Sequence, residues 1–138
     1  MFNLFGNERK AKRLKKDALT IIRSDEVAYP PPHRKSCALM VTEYLAAIFS
    51  AAAKTKAGPG SPIWLKEQHR DARRRRDQIQ LTAATLSIIY LRARELGQLG
   101  APVCEIINNA IERWTGDPDA SPEVLPDPTQ RSYSPAPK

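Results

Sequence analysis

Residues 61–99 read SPIWLKEQHRDARRRRDQIQLTAATLSIIYLRARELGQL, and this stretch decides the fold. Ser61 can accept a hydrogen bond from a free N–H of a first helical turn. Pro62, at the first helical position, has no N–H to lose and a preset φ. No Gly or Pro follows until Gly97, and good helix formers fill most of the span. The pattern predicts one long helix over about 61–97, a rod of roughly 54 Å. A kink near Asp77–Gln78 would suit it, since ordinary helices are about a third as long.

The two halves of this stretch differ. Ile79, Ala83, Leu86, Ile89, Tyr90, Ala93 and Leu96 recur at three- and four-residue steps, a stripe that faces a core. Upstream the stripe thins to Trp64, Leu65 and Ala72, with Arg70 and the run Arg73, Arg74, Arg75, Arg76 among them. Four consecutive helical residues fan over most of the circumference. This half is read either as a solvated projection balanced by Glu67, Asp71 and Asp77, or as an arginine patch for phosphate or carboxylate.

The chain of 138 residues has a net charge of +7, from 22 basic and 15 acidic residues. The positive excess lies in residues 1–116, because residues 117–138 hold two basic and four acidic side chains. A basic body favours nucleic acid, an acidic protein or anionic lipid as partner. Cys37 and Cys104 lie far apart in apolar helical contexts and read as buried thiols of a reducing cytoplasm. Two Cys and two His without ligand spacing imply no metal site and no cofactor. The longest apolar run, Cys37 to Ala53, carries Glu43 and is short for a bilayer, so it reads as a core helix.

Outward from the central stretch, residues 1–28 form a basic amphipathic helix. Asn7 is placed to cap it, and Ala11, Leu14, Ala18, Ile21 and Ile22 form its apolar stripe. Arg9, Lys10, Lys12, Arg13, Lys15 and Lys16 cover the other side. The helix is read as docked on the core. The alternatives are contact with nucleic acid, or an anchor to an anionic membrane surface with Phe2, Leu4 and Phe5 inserted. Pro30, Pro31 and Pro32 are read as an extended spacer. A second helix then runs from His33 to Thr55, apolar around most of its girth, with Glu43 expected to need an arginine partner in the core. That apolar excess predicts a homo-oligomer or membership of a complex. Gly58-Pro59-Gly60 is a turn. A last helix opens at Pro102 and stops at Gly116.

The organisation expected is all-α: a small four-helix domain with a helical core over 33–116. A Pro-rich tail over 117–138, with six of the twelve prolines, should be disordered. The join between the last two helices, at 89–108, has a helix-turn-helix cadence, with Cys104, Glu105, Asn108 and Asn109 toward a groove and the asparagines able to read adenine edges. Against it stand Arg92 at a usually apolar place and the acids Glu105 and Glu112.

No Gly-rich phosphate loop follows a strand, and His69 points away from Glu67 and Asp71 on the helical wheel. The sequence therefore reads as a small, basic, non-enzymatic accessory or regulatory protein. It would bind nucleic acid through Lys10, Lys12, Arg13, Lys15, Lys16, Arg70 and Arg73–Arg76, with Asn108 and Asn109 in support. The alternative is an adaptor or inhibitor that docks on an acidic protein through apolar faces and arginines. The third reading is the peripheral membrane protein held by residues 1–22.

Overall fold

The computed structural model describes residues 4–49 and 61–120. They form five helices and no strand: α1 (Leu4–Ala28), α2 (Pro31–Ile48), α3 (Pro62–Arg75), α4 (Gln78–Glu95) and α5 (Ala101–Thr115). The fold is all-α, as the periodicity requires. The expected disorder of residues 121–138 and the turn at 58–60 lie outside the described residues.

The predicted rod is a hairpin. Helix α3 ends at Arg76, whose φ of 56° is left-handed. The N–H of Asp77 bonds to the Ala72 carbonyl at 2.9 Å and that of Arg76 to the Arg73 carbonyl at 3.2 Å, the paired closure of a helix that turns off its axis. Asp77 then caps α4, accepting from the Gln80 N–H at 3.0 Å. The chain folds back here because a rod would leave Trp64 and Leu65 in water. In the hairpin Leu65 and Ala72 are buried, and burying a leucine side chain is worth about 1.5–3 kcal/mol. Tyr44 of α2 meets Trp64 edge-on at 5.4 Å. The Gln80 amide donates to Gln68 at 3.2 Å and the Arg75 guanidinium donates to Gln80, which ties α3 to α4. Ser61 caps α3 as its sequence suggests, accepting from Trp64 N–H at 3.1 Å.

Helix α4 is the hub and packs on α1, α2, α3 and α5. Its neighbours bury Ala83, Leu86, Ile89, Tyr90 and Ala93 of the predicted stripe, while Ile79 and Leu96 are half-buried at its ends. Helix α2 lies across α4 and α5 with Cys37, Ala38, Val41, Tyr44 and Leu45 buried. Packing on α4 and α5 covers much of the apolar surface of α2, and Leu39 is the large apolar residue α2 leaves exposed, at 47%. Glu43 is exposed and is no core acid.

The proline segment is no spacer. Pro30 is extended, but Pro31 and Pro32 already occupy the first turn of α2, where a missing N–H costs nothing. Arg34 reaches back to the carbonyls of Glu26 and Tyr29, the free acceptors at the end of α1. Asn7 does not cap α1, which begins at Leu4. The tail boundary also shifts. Pro118–Ala120 form a 3-10 turn, and Ala120 is buried and accepts a hydrogen bond from Thr42 at 3.1 Å, so the fold extends beyond Gly116.

At Arg76 a left-handed backbone strains any side chain but glycine's. Arg76→Gly should leave stability unchanged or raise it by up to about 1 kcal/mol, and Arg76→Val should cost about 1–2 kcal/mol in urea unfolding. Equal losses in both variants would count against the hairpin turn.

Candidate functional site

The basic residues named from the sequence fall into two groups. Leu14, Ala18 and Ile22 of α1 are buried against the core, so the helix is docked and its stripe is unavailable to a membrane in this arrangement. Phe2 and the side chains of Leu4 and Phe5 lie outside the described residues. Lys10, Lys12, Arg13, Lys15 and Lys16 are exposed, with no ion pair among the described residues. Arg9 and Arg23, outside the candidate set, are exposed too; Arg9, Lys12, Lys16 and Arg23 follow one another along the outer ridge of the helix.

The second group sits at the tip of the α3–α4 hairpin. Arg70, Arg73, Arg74, Arg75 and Arg76 are all exposed. Arg74 pairs with Asp71 at 2.6 Å, an exposed i,i+3 contact that solvent screens and that costs little to give up. Arg75 is held by Gln80. The tip lies beside the C-terminal half of α1, where Gln78, Leu81 and Thr82 share a cavity with Thr20, Ser24 and Asp25. Lys10 and Arg13 lie at the other end of α4, beside Arg92 and Leu96. The 15 residues of α1 from Lys10 to Ser24 span roughly 21 Å, so the Lys10 end of the first group and the hairpin tip are separate contacts.

The α4–α5 join carries less of the expected chemistry. Gln98 lies in a 3-10 turn between the helices, and Gly100 packs so closely on α4 that a Cβ there would sit 1.8 Å from the Ala93 carbonyl oxygen. Cys104 is buried and its thiol reaches the Tyr90 carbonyl at 3.8 Å. The Asn108 amide donates to the Tyr90 hydroxyl at 3.1 Å. These two residues serve the α4–α5 contact and do not face a groove as the helix-turn-helix reading expected. Glu105 and Asn109 are exposed.

Sequence reasoning missed the polar corner between α1 and α2. Asp25 is 3% exposed, its Oδ2 has no partner among the described residues, and burial raises its pKa against the opposing effects of the Thr82 hydroxyl, His33 and Arg34. The His33 ring stacks on Tyr29 at 3.9 Å and is not a solvated end residue. Burial, aided by the Asp25 charge, pushes the Cys37 thiol up to about 12, which leaves it a packing group at neutral pH. Glu26, the next residue after Asp25, looks the other way and accepts from Trp114 Nε1 at 2.8 Å and Arg113 Nη2 at 2.9 Å. Burial works to raise its pKa, but these two donors outweigh it and hold the carboxyl below its ordinary value. The signal was the spacing of Asp25 on the Leu14-Ala18-Ile22 stripe, four residues beyond Ile21 and three beyond Ile22.

Among the described residues no group of three His, Cys, Asp or Glu could hold a metal ion, and no helix is long and apolar enough to cross a membrane. Compared with protein-family models, curated proteins and solved structures, the chain matches none.

Gly100→Ala should destabilise by about 3 kcal/mol, because backbone atoms of α4 block the added methyl; a urea midpoint near wild type would contradict the close approach. The adjacent acids should titrate in opposite senses. Glu26, with its pKa lowered on folding, lends stability above the ordinary carboxylate pKa that disappears as pH falls through the folded value, and Glu26→Gln should remove that acid-side loss. Asp25, with its pKa raised, contributes stability at low pH that is lost as pH rises through its folded value, so Asp25→Asn should gain stability relative to wild type on going from pH 4 to pH 7. Urea unfolding at both pH values reads the two effects.

Proposed function

We propose that the protein is a non-enzymatic nucleic-acid-binding accessory protein that grips phosphates without reading sequence. The observation that supports this is the state of its cations. The α1 lysines and Arg13 are exposed and without ion-pair partners among the described residues, and the hairpin tip adds five exposed arginines. The lysines lie along α1 and Arg70 to Arg75 along α3, so the spacing within each group is set by its helix. Guanidinium forks suit phosphate oxygens, and each phosphate neutralised releases a condensed counterion. Sequence reading has little support, because Asn108 is already bonded to Tyr90.

A second reading, an adaptor for an acidic protein, draws on an apolar trough between α1 and α3. It shares Lys10 and Arg13 with the α1 cations but adds an apolar floor, Lys66 and Arg92, and so can be told apart.

The test is binding to a labelled random-sequence DNA duplex across a salt series. Log affinity should fall linearly with log salt. The variant in which Arg73, Arg74, Arg75 and Arg76 all become Ala should show a slope shallower by about 0.9 for each phosphate it no longer neutralises, and Lys12→Ala with Lys16→Ala should flatten it further. Absence of binding at low salt would eliminate the reading.

A further inference from the structure

Helices α1 and α3 both pack on α4 and leave a trough between them. Its middle is a cavity of about 530 Å³ floored by Leu14, Ile21, Ile88 and Ile89. It shares Leu14 and Arg92 with a cavity at one end, and Ile21 and Thr85 with another at the hairpin tip. The three lie in a row beside α1 from Lys10 to Ser24, over roughly 21 Å. Exposed cations edge it: Lys10 and Arg13 on α1, Lys66 on α3 and Arg92 on α4, none with an ion-pair partner among the described residues. The exposed acids beside them are Asp17 and Glu95, so the rim is positive.

We infer that this trough is the docking site for an acidic amphipathic helix of a partner protein. The length fits about 14 helical residues, or four turns. Two helices lying side by side on a third make a seat into which a further helix packs ridge-into-groove, burying its apolar stripe on Ile21 and Ile88. The rim selects glutamate or aspartate on the flanks of that helix. A phosphate backbone has no use for the apolar floor. A lipid chain needs an enclosed cavity, and this one is open along its length. The site does not rest on the nucleic-acid reading, because its floor and Lys66 and Arg92 lie outside the cation groups assigned to phosphate.

The test uses the full chain and a fluorescent probe peptide of about 14 residues, with Leu at i, i+3, i+4, i+7 and i+11 and Glu on both flanks. Two control peptides accompany it: the same composition with the leucines out of register, and the same register with Lys for Glu. Anisotropy titration should show saturable 1:1 binding of the acidic in-register peptide. Each control should bind at least about tenfold more weakly, and Ile88→Glu should weaken the in-register peptide by a similar factor. Because Ile88 is half-buried, the exposed pair Lys66→Glu and Arg92→Glu provides a second variant that keeps the fold. It should lose the acidic peptide and gain the Lys peptide. Equal binding of the out-of-register peptide reduces the effect to bulk charge and overturns the proposal, as does binding that survives the charge reversal. Failure of the peptide, together with a sedimentation mass that doubles in wild type and not in Ile88→Glu, assigns the trough to a second copy of this chain and overturns it as well.

Discussion

Everything in this fold depends on α4 being enclosed. A helix that must bury residues on nearly all sides cannot sit at the end of a rod or on a surface, and each other helix is placed by the part of α4 that it covers. The enclosure is made possible by small side chains. Ala83, Ala84, Ser87 and Ala93 let neighbouring backbones approach closely, and Gly100 takes that to its limit against Ala93. The Ser87 hydroxyl that enters with α4 is satisfied within the helix, donating to the Ala83 carbonyl at 2.7 Å, while Gln80 is satisfied across the hairpin by Gln68 and Arg75.

The all-α character, the core stripe of α4 and the limits of α5 were legible because they rest on periodicity and on breakers. The break at Arg76–Asp77 falls where a kink was expected, but the full reversal was not legible, because it uses Arg76 in a conformation for which glycine is the usual marker. With no Gly to announce it, the only cue was Asp77, a good cap in a run otherwise favourable to helix. The prolines misled for the opposite reason. A breaker inside a helix is a builder in its first turn, and where a helix begins is set by the contacts of α2 and not by the Tyr29–Pro32 stretch alone. Composition likewise showed that α2 is apolar around most of its girth, but could not show that α4 and α5 both lie on it.

At the candidate site the sequence identified the cations and left their arrangement open. Helical wheels gave the ridge of α1 correctly, since that needs one helix only. The separation of the two basic groups and the trough between α1 and α3 depend on the fold-back at Arg76, so they were out of reach while α3 and α4 were read as one helix. Asp25 and Glu26 are a different case, since the α1 stripe already held the signal for Asp25. Adjacent in sequence, they are about 100° apart on the helix, and that rotation sends one into the α1–α2 corner and the other to Arg113 and Trp114.

The contact of Glu26 with Arg113 and Trp114 joins residues 87 and 88 positions apart, whereas the α3–α4 and α4–α5 contacts join near neighbours in the chain. Loop closure costs more for the distant pair and must be met before any contact compensates it. Contact order therefore predicts that the C-terminal helices assemble first and that α1 settles last. The same ordering predicts that local opening begins at α1, which would carry the Lys10–Lys16 group and one wall of the trough with it.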